Sequence, residues 1–400
     1  MTETLRIALV TETFPPEVNG VARTLRQLCR GLVSQGHDLQ LVRPKQPGDP
    51  HADAGWSQLL SPGVPIPLYP GLRFGLPVFR RLRRSWLEDR PDVIHIATEG
   101  PLGLHALRLA FKLEVPVLST FHTNFHQYGA HYGYGVRLAI SYLRWFHNKT
   151  RGTLVPAPDV AQVLTDDGFE RVGVLGRGVD GDLFHPAKRS QELRASWGAG
   201  PETPVAIYVG RLAEEKNLGL CARAFAAFRK ARPGAITVAV GDGPAADGMK
   251  RDDPATHFAG MRRGDDLAAH YASADVMISP STTETFGNVV LEAMSAGLPV
   301  LTYDYAAGAQ LVSAENGVLV PFDDSERFLT EAERLATRPV AELNALGVKA
   351  RATAEEQSWG AIVNRFVGYL TAVRDGEPLP PDLTARRRSR LRSRHFRNRR

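Results

Sequence analysis

The feature that most constrains this chain is a recurring order: a short apolar, β-branched run, a loop containing Gly or Pro, then a stretch of helical periodicity. Arg6-Ile7-Ala8-Leu9-Val10-Thr11 opens the first round, Val21 to Gln35 reads as a helix, and Gly36 ends it. Asp38 to Val42 supplies the next strand and completes a βαβ unit. The order returns at Val93-Ile94-His95-Ile96 before a helix near 102–113, and at Val115 to Thr120 before another loop. A second series begins at Val205 to Gly210 and runs through Ala235 to Val240, Val276 to Ser279 and Pro299 to Thr302. This pattern predicts an α/β chain with parallel, doubly wound sheets, in which ligands bind beyond the carboxyl ends of the strands. The loops after strands therefore carry the functional candidates.

The 400 residues exceed the size at which one hydrophobic core keeps growing, so two domains are expected. The first is placed at 1–175, a connection at 176–200 and the second domain at 201–360, with Gly198-Ala199-Gly200-Pro201 read as a flexible joint. Hydrophobic residues at 43% and charged residues at 23% suit a water-soluble protein, and no run reaches the roughly 18 apolar residues a membrane span needs. The opening Met1 to Arg6 lacks a basic segment followed by a long apolar core, so a cytoplasmic location is expected. Cys29 and Cys221 alone cannot build a disulfide framework or a cysteine zinc cluster. The net charge of +6 is concentrated: residues 384–400 carry nine arginines and no acid, which leaves the rest of the chain net negative. That distribution disfavours a nucleic-acid reader, which needs its basic groups on the folded surface. The tail also lacks aromatic stacking partners beyond Phe396, so no specific nucleic-acid partner is expected.

Four loops hold candidate chemistry. Pro15 to Val21 joins the first strand to its helix, and Gly20 there lets an anion approach the backbone, although it also suits an ordinary turn. It is not the G-x-G-x-x-G of a dinucleotide site. Arg211 and Lys216, at a strand-to-helix junction, can grip a diphosphate, or can be a solvated pair partnered by Glu214 and Glu215. Glu284 is expected at the end of a loop and Glu292 in the following helix; as one regular helix, eight residues would separate them by ~12 Å. They are then too far apart to share one proton and suit two parts of an extended ligand, the plain alternative being two exposed glutamates on an amphipathic helix. His122 follows a strand of the first domain, with His126 and His131 as competitors.

Together these pieces resemble the retaining glycosyltransferases of family 4, over nearly residues 5–370. The resemblance rests on the Pro15 to Val21 loop, Gly210-Arg211 with Lys216, Gly241-Asp242-Gly243-Pro244, Phe258-Ala259-Gly260, and the E-x7-E pair Glu284 and Glu292. It implies a GT-B fold: two facing Rossmann-like doubly wound domains, the active site in the cleft between them, and a helix at 361–375 returning to the first domain ahead of a basic, disordered tail at 376–400. It implies a nucleotide-sugar donor, with Arg211 and Lys216 on its diphosphate, Glu292 on the ribose, and Glu284 on the transferred sugar. The backbone of Phe286, Gly287 and Asn288 would meet sugar hydroxyls, and Met261 and Arg262 the base. His122 would orient the sugar. Front-face attack assisted by the donor phosphate then needs no protein nucleophile. Asp180-Gly181-Asp182 has the spacing of a metal-binding D-x-D, but it lies in what resembles the family's interdomain connection, so no metal cofactor is expected.

The acceptor is the open term. Arg73 to Trp86 interleaves apolar residues with arginines, and a helix over Val78 to Leu87 could lay Trp86 on a bilayer while Arg80, Arg81, Arg83 and Arg84 meet lipid phosphates; packing on its own domain is the equal alternative. The arginine tail favours the anionic membrane surface, and the aromatic, histidine-rich stretch from Phe121 to Tyr134 resembles the glycolipid-forming branch, which includes diacylglycerol sugar transferases and lipid mannosyltransferases. Transfer of a hexose from GDP-mannose or UDP-glucose to a lipid acceptor, at the inner face of the plasma membrane, is the resulting expectation. A soluble acceptor is its alternative.

Overall fold

The computed structural model describes residues 3–17, 19–46, 49, 55–66, 69–122, 133–284 and 286–381. The described residues up to Gly176, with those from Ile362 onward, form one compact unit, and Arg177–Ala361 form a second. No helix among the described residues is long and apolar enough to cross a membrane.

The first unit holds strands β1 Arg6–Val10, β2 Asp38–Pro44, β3 Ser57–Ser61, β4 Gly63–Ile66, β5 Tyr69–Gly75, β6 Val93–Ile96, β7 Val117–Thr120, β8 Gly152–Val155 and β9 Val172–Val174. Its helices are α1 Gly20–Ser34, α2 Phe79–Glu88, α3 Pro101–Lys112, α4 Gly133–Asn148 and α5 Pro158–Asp166. Seven strands form a parallel sheet in the order β3-β2-β1-β6-β7-β8-β9, while β4 and β5 pair as a separate antiparallel ribbon. The chain works outward from β1 in one direction and from β6 in the other, so the switch point of the sheet lies between β1 and β6. Its central strands are buried on both faces, as a sheet covered on both sides requires: Ile7 to Val10, Val93 to Ile96 and Val117 to Thr120 are all buried.

The second unit holds β10 Val205–Val209, β11 Ile236–Val240, β12 His257–Gly260, β13 Val276–Ser279, β14 Val300–Tyr303 and β15 Gly317–Val320. Helices α6 Gln191–Ser196, α7 Leu218–Ala231, α8 Ala246–Asp252, α9 Gly264–Ser273, α10 Asn288–Ser295, α11 Ala306–Leu311, α12 Ser325–Thr337 and α13 Val340–Glu355 accompany them. The strand order is β12-β11-β10-β13-β14-β15, all parallel, with the switch point between β10 and β13. A last helix, α14 Trp359–Asp375, belongs to the first unit from Ile362 onward: Val363 lies against Gly31 of α1, and Phe366 meets the His95 ring edge-on.

Two expectations need correction. The segment read as a flexible joint is packed into the second unit: Trp197 and Ala199 are buried in its core, and the guanidinium of buried Arg194 donates to the Gly200 and Thr203 carbonyls while pairing with Asp275 at 3.0 Å. The division between units falls earlier, after Gly176. Trp86 also cannot face a bilayer. It is 1% exposed, its indole N–H donates to Gln40 Oε1 at 2.9 Å, and Leu82 is buried beside it in the same core. Leu82 and Trp86 of α2 are thus spent on its own unit, while Phe79 and Leu87 are exposed along with Arg80, Arg81, Arg83 and Arg84. Residues 123–132, with His126 and His131, and the arginine tail lie outside the described residues.

Candidate active site

In the second unit, three strand-end loops are stitched together through backbone. Gly210 N donates to Val240 O, Leu212 N to Asp242 O, Ala245 N to Leu212 O and Gly241 N to Gly260 O, all at 2.9–3.0 Å. The glycine at 241 is obligatory, because its φ is +138° and a Cβ there would stand 1.9 Å from the Gly210 carbonyl oxygen. The Gly210-Arg211, Gly241-to-Pro244 and Ala259-Gly260 motifs are therefore one platform rather than three separate signals.

Across the switch point a second set of bonds ties the turn at Glu214–Lys216 to the loop after β13. Lys216 Nζ donates to Glu284 Oε1 at 2.7 Å and to Thr283 O at 3.1 Å, and Thr283 Oγ1 donates to Glu215 O at 2.7 Å. Lys216 and Glu284 keep only 18% and 21% of their side chains exposed, so this is a partly desolvated ion pair. Tyr305 OH donates to Glu284 O, and Ala307 N to Phe286 O, fixing the loop from its other side. Gly287, at φ +98°, turns the chain into α10, whose first turn starts at Asn288. The Phe286 carbonyl being taken, this turn offers a ligand amides, the donors that a helix start leaves unpaired.

Glu292 lies within α10, and one of its oxygens accepts from Tyr271 OH at 3.0 Å. Because only the part from Asn288 onward is helical, the separation of Glu284 and Glu292 is not that of eight helical residues, which corrects the ~12 Å spacing. Arg211 is 66% exposed, 3.6 Å from Glu215, and does not join the Lys216 pair. Met261 projects with 57% exposure after β12, while Arg262 is held by Ala259 O and Asp266. Sequence reasoning passed over Tyr271, Thr283 and Tyr305. No spacing marks a tyrosine whose role is to seat a glutamate.

The first unit has its own cluster at the β1/β6 switch point. Gly20 begins α1 with open space where a Cβ would be, and Asn19 caps that helix by accepting from Ala22 N at 2.8 Å. Glu12, just after β1, is buried; its amide donates to Thr98 Oγ1 and its carboxylate accepts from Leu102 N at the start of α3, both at 2.8 Å. Burial pushes its carboxyl up to about 7, against the pull of the Leu102 and Gly103 amides, and Glu99 adds like-charge repulsion. Glu99, in the loop after β6, accepts at Oε1 from His147 Nε2 at 2.9 Å. His147 Nδ1 meets Ser119 Oγ of β7, also at 2.9 Å. His122 stands half-buried two residues beyond the end of β7, next to buried Phe121. His95 is fully buried with Nε2 on Thr120 Oγ1 at 2.7 Å, and desolvation drives it down to about 3, so it is neutral and structural.

Asp180 is occupied locally, accepting from the Asp182 and Leu183 amides. Among the described residues no group of three His, Cys, Asp or Glu side chains is arranged to hold a metal ion.

Comparison with known proteins matches two family profiles: Glycosyltransferase Family 4 over residues 18–183 and Glycosyl transferases group 1 over residues 203–338. The chain is 33% identical over 376 residues to a GDP-mannose-dependent alpha-mannosyltransferase of Mycolicibacterium smegmatis, covering 92% of this chain and 98% of that protein. It is 29% identical over 314 residues to an alpha-monoglucosyldiacylglycerol synthase of Streptococcus pneumoniae, covering 75% and 71%. Its fold matches a solved sucrose-phosphate synthase from Thermosynechococcus elongatus with a TM-score of 0.70 at 19% identity, covering 93% of this chain and 100% of that one.

Proposed function

The chain belongs to glycosyltransferase family 4, a hexosyltransferase using a nucleotide-sugar donor, and from that premise we propose that it transfers mannose from GDP-mannose to a lipid acceptor at a membrane surface. The observation that carries the donor assignment is the end-to-end match to a GDP-mannose-dependent enzyme. The lipid assignment is supported by the relative that makes a glucosyldiacylglycerol, and by the basic face of α2. Arg80, Arg81, Arg83 and Arg84 project from a helix anchored to its unit by Leu82 and Trp86, an arrangement that offers cations to lipid phosphates. Arg81 and Arg84 are partly engaged, by Leu60 O and Glu88, so Arg80 and Arg83 have the greater reach.

In the second unit, we assign Arg211 and Lys216 to the diphosphate, Glu284 and the amides from Phe286 to Asn288 to the sugar, and Glu292 to the ribose. Fixed cations and oriented amides at the leaving diphosphate stabilise charge that develops as the sugar bond breaks. His122, at the strand end of the first unit, is assigned to orient the sugar. The family reading places proton acceptance on the donor phosphate, so no protein nucleophile is invoked.

A donor panel of GDP-mannose and UDP-glucose with a bacterial lipid extract tests this reading, the product being a lipid carrying one added hexose. Label from UDP-glucose alone reassigns the donor. Label entering only a water-soluble glycoside removes the lipid. Vesicle co-sedimentation of full-length protein and of a truncation after Asp382, at low and high salt, apportions membrane attraction between the tail and α2.

A further inference from the structure

The loop after β6 enters the switch point of the first sheet directly opposite the loop after β1, in the position where doubly wound sheets receive ligands. It carries one carboxylate, Glu99, held from several sides. Oε1 accepts from His147 Nε2 at 2.9 Å, and Tyr142 OH donates to the Glu99 carbonyl at 2.6 Å. His147 is itself fixed by Ser119 Oγ, which is bonded in turn to Thr150 and to the Gly152 carbonyl. Among the described residues no other group hydrogen-bonds the Glu99 carboxylate, and 12% of its side chain still reaches the surface. A buried histidine and two ordered elements are thus committed to aiming a single carboxylate whose second oxygen no described residue engages.

The geometry points to Glu99 as the group that holds a hydroxyl of the acceptor, with His147 as the positioning residue that aims it. This rests on the transferase reading above and deepens it by naming the chemistry recognised: a hydroxyl-bearing, uncharged head next to the attacking oxygen. A carboxylate accepts from such hydroxyls and repels a phosphate in the same place.

The test uses full-length protein, GDP-mannose, and two probe acceptors: diacylglycerol in mixed micelles and the soluble methyl α-mannoside. Hydrolysis of GDP-mannose without acceptor serves as the control. For Glu99→Gln the acceptor KM rises about tenfold or more, the worth of one charged hydrogen bond, while hydrolysis and the donor KM keep wild-type values. His147→Gln shows the same acceptor-selective rise with a smaller amplitude, and its melting curve identifies any loss that comes from misfolding. An unchanged acceptor KM in Glu99→Gln overturns the assignment, as does an equal loss of transfer and hydrolysis in a variant that melts like wild type. Wild-type transfer to the soluble glycoside alone sinks the lipid reading instead, and the Glu99 comparison then stands or falls on that acceptor.

Discussion

The two sheets reverse direction at equivalent places and furnish them differently. Beside β10 and β13 the chain sets Lys216 against Glu284, with Arg211 exposed nearby and glycines stripping side chains from the platform. Beside β1 and β6 it sets Glu12 and Glu99, backed by His147, Ser119 and Thr98, and a Cβ at Gly100 would stand 2.1 Å from Glu12 Oε2. One corner offers cations and amides, which suit a diphosphate; the other offers oriented carboxylates, which suit hydroxyls. A shared topology fixes where a ligand can bind in each unit. On the assignments proposed above, the side chains at the strand ends decide which half of a transfer reaction each unit serves.

The largest effect that would break this contrast lies in the platform. Gly241→Ala demands a side chain at φ +138° and 1.9 Å from a carbonyl oxygen, so the Gly210 and Gly241 loops must separate. A destabilisation of about 3 kcal/mol is expected, read by denaturant unfolding, together with loss of donor binding. Wild-type stability would mean that the loops are not locked as described.

Next comes Lys216→Ala, which removes the cation from the donor corner and leaves Glu284 partly buried without its partner. Turnover with GDP-mannose is expected to drop by roughly tenfold to a hundredfold, and Glu292→Ala to fall in the same range while the fold survives. Unchanged donor kinetics in both would move the donor site elsewhere.

The acidic corner responds to pH instead. The folded-state pKa of Glu12 is raised from 4.5 to about 7, so between those values the folded protein keeps a proton that the unfolded chain has released. Stability from this group is fully present below pH 4.5 and is lost as pH rises to about 7, an effect of at most about 3 kcal/mol. Glu12→Gln, neutral throughout, should flatten that slope in melts recorded between pH 5 and 8. A slope equal to wild type would show that Glu12 ionises without cost and that the corner is more open than its burial implies.

How far the sequence revealed this depended on whether local pattern or packing set the feature. The parallel strands were legible because runs such as Val205 to Val209 are buried on both faces and leave no alternation to misread. The glycine loops after β10, β11 and β12 were legible because glycine spacing reflects close backbone contacts, as at Gly241. The β4–β5 ribbon was missed, since Pro65 and Pro70 interrupt its pattern. Trp86 was misjudged because an amphipathic stripe looks the same whether a core or a lipid covers it. Glu12, Glu99 and His147 were missed for a different reason: their partners are 28 to 90 residues away in sequence, and only the fold brings them together.

The smallest expected effect is that of chelation, and it sharpens the contrast most directly. We propose that the donor corner needs no metal ion, because Lys216, Arg211 and the first amides of α10 already supply positive potential where a diphosphate would leave. The side chains nearest that place include a carboxylate already neutralised by a bonded ammonium, which leaves less negative charge to recruit a metal ion. Asp180, the one aspartate with suggestive spacing, spends an oxygen on the Asp182 and Leu183 amides, which favours a turn over a ligand set. Transfer from GDP-mannose in excess chelator should therefore match the untreated rate within about twofold, a difference of less than ~0.5 kcal/mol in barrier. Complete loss, restored by magnesium or manganese, would show that the cationic side chains do not carry the leaving-group charge alone.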